Sequence, residues 1–220
     1  MNSLWSTILF SFEVALAATL LTLLLGAPLA FAMARLRFPG KSLLESCIMI
    51  PMVLPPTVVG YLILMLVGGR GPIGIWLKQS FGYSIIFRPE GAILAAAIVA
   101  LPMMYLPAKA SFQGVDRELE DVARLLGASR WQMFWHVSLP LARRGLLAGL
   151  VLAFARALGE FGATVMILGW QSKYITLPIS VWGHFEDHED LQALPAVAAL
   201  SVLSLGMMLA YNHFARPGKN

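Results

Sequence analysis

Arg156 and Glu160 stand four residues apart inside "FARALGEFGATVMILG" (154–169), a run otherwise apolar enough for the middle of a membrane. On a helix that spacing puts both side chains on one face. Ionisable groups at such depth are costly and face a bundle interior or a watery cavity. Two roles fit: a structural ion pair between or within helices, or a charged lining for an anion pathway or its gate. Arg156 is expected near the cytoplasmic end of its segment, where a long side chain reaches water. A fixed, tight anion site is not expected, because the chain has no cluster of buried cations and a pathway that bound a divalent anion tightly would not release it. Gly159, Gly162 and Ala163 beside the pair allow close helix approach, as a subunit interface needs. A second group is Pro51, Pro55 and Pro56 in "IPMVLPPT". Prolines free backbone carbonyls and bend a helix, which is tolerated where protein or a cavity satisfies them again. A kinked pathway helix and a static bend both fit, and Thr57 could satisfy one freed carbonyl.

Catalytic constellations are missing from the sequence. The apolar runs hold no paired aspartates, Ser-Lys dyad or HExxH motif, so an intramembrane enzyme is not expected and no catalytic residue is assigned. "HFEDHED" (184–190) groups two histidines with four acids, but consecutive acids around histidines in a loop read as a solvated surface, and no metal site is assigned. "GGRGPIG" (68–74) supplies turns and no phosphate cradle, since it neither follows a strand nor opens a soluble helix. The single cysteine, Cys47, excludes an intrachain disulfide and a thiol cluster, and reads as a small packing residue.

The elements that must position these residues follow from composition. Of 220 residues, 58% are hydrophobic and 13% charged, against about half and about 25% in soluble domains. Five segments reach the roughly 20 apolar residues of a spanning helix: Ile8 to Ala34, Leu43 to Val67, Gly91 to Ala110, Leu141 to Leu168 and Leu191 to Phe214. The chain is therefore read as an all-α polytopic membrane protein, one domain over 1–220, with its first apolar run retained and not cleaved as a signal peptide. Arg35, Arg37, Lys41, Lys109, Arg117, Arg124, Arg130, Arg143, Arg144, Arg216 and Lys219 fall on one side; Arg70, Lys78, Arg88 and Lys173 fall on the other. The positive-inside rule makes the first side cytoplasmic, the N-terminus external and the C-terminus cytoplasmic. The basic residues lie at segment ends and not along one face, so they set topology and do not bind nucleic acid. A coupled secondary transporter would carry paired halves and several midplane charges, which this chain lacks.

The longest loop on the basic side contains "DVARLLGASRWQMFWHVSLP" (121–140). Asp116 suits a helix N-cap, with Glu118, Glu120 and Asp121 in the first turns. Leu119, Val122, Ala123 and Leu126 share one face. Gly127 ends that helix in the left-handed region, and Ser129 with Gln132 forms a capping box for a second. Trp131, Phe134 and Trp135 give the second helix an aromatic face, and Pro140 closes the unit and can begin the next crossing, since proline is tolerated in a helix's first turn. Each helix is expected to be about ten residues, half a span, lying at the membrane surface. An interfacial linker in the headgroups and a docking knob for a soluble partner both fit this pattern.

Asp121, Val122 and Ala123, then Gly127, then Val137, Leu139 and Pro140 resemble the Glu-Ala-Ala, Gly, Ile-x-Leu-Pro signature of binding-protein-dependent ABC importer permeases, with both spacers at the family's length. "FPGKSLLES", "VLPPTVVGYLIL", "LEDVARLLGASRW" and "FARALGEFGATVMILG" are similar to the molybdate-type permeases, and sulfate and tungstate permeases share parts of them. The resemblance implies a type I ABC importer transmembrane domain in a bacterial inner membrane, with about five spanning helices. It makes 111–140 the ATPase-coupling loop, carried by Glu120, Asp121, Ala123, Gly127, Ala128, Val137, Leu139 and Pro140. It further implies a homodimer, two ATPase subunits that bind ATP and Mg, an external oxyanion-binding protein, and no cofactor in this chain. The cargo would be molybdate, or else tungstate or sulfate. Arg156, Glu160, Pro55, Pro56 and Thr57 are the pathway or gate candidates.

Overall fold

A computed structural model describes residues 3–169 and 173–215. Arg216 and Lys219, two of the charges used to orient the chain, lie outside the described residues. In chain order the helices are α1 (Leu4–Arg35), α2 (Lys41–Val53), α3 (Pro56–Val67), α4 (Pro72–Phe81), α5 (Pro89–Gln113), α6 (Arg117–Leu125), α7 (Arg130–Met133), α8 (Leu139–Leu158), α9 (Gly162–Leu168), α10 (Leu177–Glu186) and α11 (Asp190–Ala215). A π turn, Phe134–Ser138, joins α7 to α8. Leu4–Arg35, Pro89–Gln113, Arg130–Leu158 and Asp190–Phe214 are long and apolar enough to cross a membrane, and α2 with α3 makes a fifth if the bent pair counts as one span.

Two expected crossings are broken. Leu43 to Val67 is two helices bent by 116°. Leu54 and Pro55 are both extended, since a residue before proline is driven out of the helical region, and Pro56 then opens α3 where its missing N–H costs nothing. Leu141 to Leu168 stops at Leu158 and restarts at Gly162, with Phe161 at φ −120°, ψ −58° between. No proline causes this second break. The side chain of Glu160 accepts the Ala163 N–H and so replaces a backbone bond of the helix.

Helix α5 is the centre of the bundle, packed between α1 and α8. Of its most apolar stretch 61% is buried, against 11% for α11, which lies at the periphery. Its inner faces are built from fully buried Ala92, Ala95, Ala96, Ala100 and Ala108, which let the backbones close. Buried hydroxyls on α1 return to their own helix: Ser11 donates to Thr7 O and Thr19 to Ala15 O. Ser11 Oγ also accepts the Leu177 N–H at 2.7 Å, capping α10 from a neighbouring helix. Cys47 is exposed on α2 and not packed. "GGRGPIG" makes its turn, as expected, and then opens a helix, α4, at Pro72, where none was expected.

Candidate functional site

The two helix breaks meet. A methyl group at Gly162 would lie 3.0 Å from Pro56 Cβ and 3.0 Å from the Thr57 backbone nitrogen, and one at Gly60 would lie 2.7 Å from Ala163 Cα. Helices α3 and α9 therefore start side by side with their backbones touching. Glu160 sits at this junction, 2% exposed. Its Oε1 accepts the Ala163 N–H at 2.8 Å, and its Oε2 lies 2.7 Å from Arg156 Nη1. The second contact is ionic without the alignment of a hydrogen bond. One carboxylate thus restarts α9 and neutralises the arginine, whose side chain remains 27% exposed. The junction carries one fixed cation and one fixed anion, so it offers polar lining with no net charge.

The 114–140 connection forms a second polar centre at the α1–α5 end of the bundle. Asp116 Oδ1 accepts the Glu118 N–H at 3.0 Å and caps α6. Gly127 has φ +88°, the left-handed geometry that a glycine adopts without strain, and the next residue's N–H returns to Ala123 O. Both bonds of the Ser129–Gln132 capping box are made, at 3.2 and 2.9 Å. Helix α6 is turned with its apolar side outward: Leu125 is 88% and Leu126 84% exposed, with Leu119 and Val122 about half exposed. Glu120 points inward instead and is 3% exposed. Its Oε1 accepts Arg35 Nη2 at 2.7 Å, Arg35 Nε at 3.1 Å and Ser138 Oγ at 2.7 Å, while Arg35 Nη2 also reaches Val115 O at 3.3 Å. Trp131 and Trp135 continue the exposed apolar surface, whereas Phe134 turns in against Phe31 and Phe112.

The family described as binding-protein-dependent transport system inner membrane component matches residues 6–217. The chain belongs to this family. It is 47% identical over 161 residues to the molybdenum transport system permease protein ModB of Escherichia coli, covering 73% of this chain and 70% of that one. ModB of Haemophilus influenzae is 42% identical, covering 82% and 80%. The sulfate transport system permease protein CysW of a Synechocystis strain is 36% identical, covering 89% and 74%. Among solved structures, a bacterial alginate ABC transporter superposes with TM-score 0.72 at 15% identity, covering 98% of this chain and 79% of that one, a likeness of fold alone. With four to five apolar crossings among the described residues, this permease is a multi-pass inner-membrane component.

Within the permease, the structure brings Pro56 and Thr57 against the segment that follows Arg156 and Glu160. Pro55 is the N-cap of α3, Pro56 its first residue, and Thr57 is exposed at the start and does not bridge a freed carbonyl. Arg156 lies in the last turn of α8, the opposite end from the expected one, because α8 begins at Leu139 and ends at Leu158. Asp121 is exposed and pairs with Arg124 at 3.3 Å. Ala123 and Ala128 are half-buried, Gly127 is exposed, and Val137, Leu139 and Pro140 lie on the continuous helical stretch into α8. Pro140 stands in the first turn of α8, as expected, but does not close the unit before it. Leu139 donates to Phe134 O across a widened turn, so the missing proline N–H is absorbed and Arg130–Leu158 runs on as one span instead of a surface helix followed by a crossing. Glu120 stands in the first turn of α6, as expected, and is there a buried partner of Arg35. Arg35 and Ser138 carry no signal of their own, since one looks like a topology charge and the other like a loop hydroxyl. His184 Nδ1 lies 3.3 Å from Glu189 Oε2, and among the described residues no three His, Cys, Asp or Glu side chains converge for a metal.

Proposed function

We propose that this chain is the membrane-spanning subunit of an importer that passes molybdate into the cytoplasm, driven by ATP hydrolysis in a separate ATPase subunit. The observation that carries the reading is the outward apolar face of α6: Leu119, Val122, Leu125 and Leu126, continued by Trp131 and Trp135, on an element anchored inward through Glu120. An apolar face on a short charged helix is covered by a partner. The partner is the ATPase subunit, which binds ATP and Mg, and the 111–140 segment is the coupling loop. Two copies of this chain and two ATPases make the unit, fed by an external oxyanion-binding protein. The N-terminus is external and the C-terminus cytoplasmic.

Molybdate is favoured because the relatives named for molybdenum are the more alike in sequence; the paired Arg156 and Glu160 suit any divalent oxyanion that must pass without being trapped. The test is reconstitution of the permease with its ATPase in vesicles, with the loaded binding protein outside. ATP-dependent molybdate uptake is expected. Uptake of sulfate or tungstate but not molybdate would reassign the cargo, and the lack of ATP-dependent uptake of all three would overturn the reading.

A further inference from the structure

We infer that Glu120 is the pin through which motion of the ATPase-facing helix reaches the spanning helices, and that it acts as a positioning residue for transport. The inference rests on the coupling role proposed for α6. Four parts of the chain converge on this group: Arg35 at the end of α1, Val115 O just after α5, Glu120 on α6 and Ser138 in the π turn that leads into α8. Three of the four bonds end on one oxygen, Glu120 Oε1. Ser138 is fully buried and Arg35's side chain 13% exposed, so water does not replace these bonds cheaply.

The geometry separates two functions on one short helix. The outward side of α6, Leu125 and Leu126, meets the partner; the inward side, Glu120, is bonded to α1 and to the root of α8. Helix α8 is the one that carries Arg156 to the junction of the two breaks. The π turn gives the force a defined entry: Ser138 lies at its last position, one residue before Leu139 closes the widened turn on Phe134 O. A widened turn in a helix is a local packing alternative to the ordinary one. A push on α6 is therefore delivered to α1 and to the start of α8 together, and not to α6 alone.

The experiment uses the full transporter in vesicles, reading ATP hydrolysis, oxyanion uptake and the amount of ATPase retained on the permease. Ser138→Ala and Arg35→Gln are expected to keep the ATPase bound while uptake per ATP hydrolysed falls at least about tenfold. The exchanged pair Arg35→Glu with Glu120→Arg should recover part of that ratio. If hydrolysis and uptake fall in proportion, the group is structural and the inference is overturned; an unchanged ratio overturns it too. Leu125→Asp with Leu126→Asp separates this from the underlying reading. If that variant retains the ATPase at the normal level, α6 is not the docking face and the coupling proposal itself fails.

Discussion

Gly162 lies against Thr57 where two broken helices restart, with only 3.0 Å between the Thr57 nitrogen and the place a methyl at Gly162 would occupy. The two breaks arise differently. Pro55 and Pro56 impose the first through their rings, and Glu160 imposes the second by taking the Ala163 N–H. Their meeting depends on the absence of side chains at Gly60 and Gly162, because backbone cannot yield to a Cβ as a flexible side chain would.

Gly60→Ala is accordingly expected to destabilise the permease by about 1–3 kcal/mol, the usual cost of forcing atoms into a close-packed contact. Gly162→Val should do at least as much, since its larger side chain faces both Pro56 and Thr57. Gly159→Ala is the control: its methyl would meet only Ala155 O, at 3.6 Å, and the backbone there is ordinary for any residue. Thermal unfolding of the purified permease in detergent reads all three. Equal melting of Gly60→Ala and Gly159→Ala would remove the close-contact account.

How far the sequence foretells this arrangement differs from element to element. The apolar runs of α1, α5 and α11 are legible because lipid leaves a helix as the only way to satisfy their backbones. Asp116, Gly127, Ser129 and Gln132 are legible because capping is local chemistry between near neighbours. The break at Gly159–Phe161 is not, because a glutamate accepting an amide three residues on looks, in sequence, like a glutamate facing its i−4 partner. The direction of α6 is hidden for a related reason. Its apolar stripe is visible in the spacing, but only the contact of Glu120 with Arg35, 85 residues away, decides that the stripe turns outward.

Glu160→Gln tests the neutral pair. The amide oxygen of glutamine can still accept the Ala163 N–H, so the restart of α9 is kept while Arg156 loses its counter-charge. An uncovered arginine gains a hydrogen bond to a passing anion of about 1.5–3 kcal/mol, which is roughly ten- to a hundredfold slower release. Uptake is expected to fall by that factor without loss of protein from the membrane. Adding Arg156→Gln should restore most of it. Identical uptake by wild type and Glu160→Gln would reduce the pair to packing.

Topology is read by thiol labelling. In a Cys47→Ala background, which removes the exposed natural thiol, and in cells that make the permease without its ATPase, a cysteine at Leu125 is almost fully exposed and well suited to a reagent. The orientation proposed here predicts labelling by an impermeant maleimide in inside-out vesicles and its absence in intact cells. A cysteine at Phe87, 64% exposed between α4 and α5, should give the reverse pattern. Labelling of the Leu125 site from outside would invert the whole arrangement. A cysteine at Glu120 would be uninformative, because that position is buried behind Arg35.

Gly127 separates backbone strain from surface chemistry within one position. Its φ of +88° disfavours side chains, yet a Cβ there would touch nothing within 4 Å. Gly127→Ala therefore meets only the left-handed penalty, about 1–2 kcal/mol, and Gly127→Asn less, since asparagine visits that region readily. Neither should greatly change uptake. Gly127→Asp resembles Gly127→Asn in size and backbone preference but adds a negative charge beside exposed Leu125 and Leu126. If that surface is covered by the ATPase, burying an unpaired carboxylate at the contact costs several kcal/mol by desolvation, and uptake should be lost while the permease stays in the membrane at normal abundance. The Asp and Asn variants must then differ sharply in ATPase retention but hardly at all in melting temperature. Similar loss of uptake in both would place the effect in the turn, and similar full activity in both would leave the α6 face uncovered.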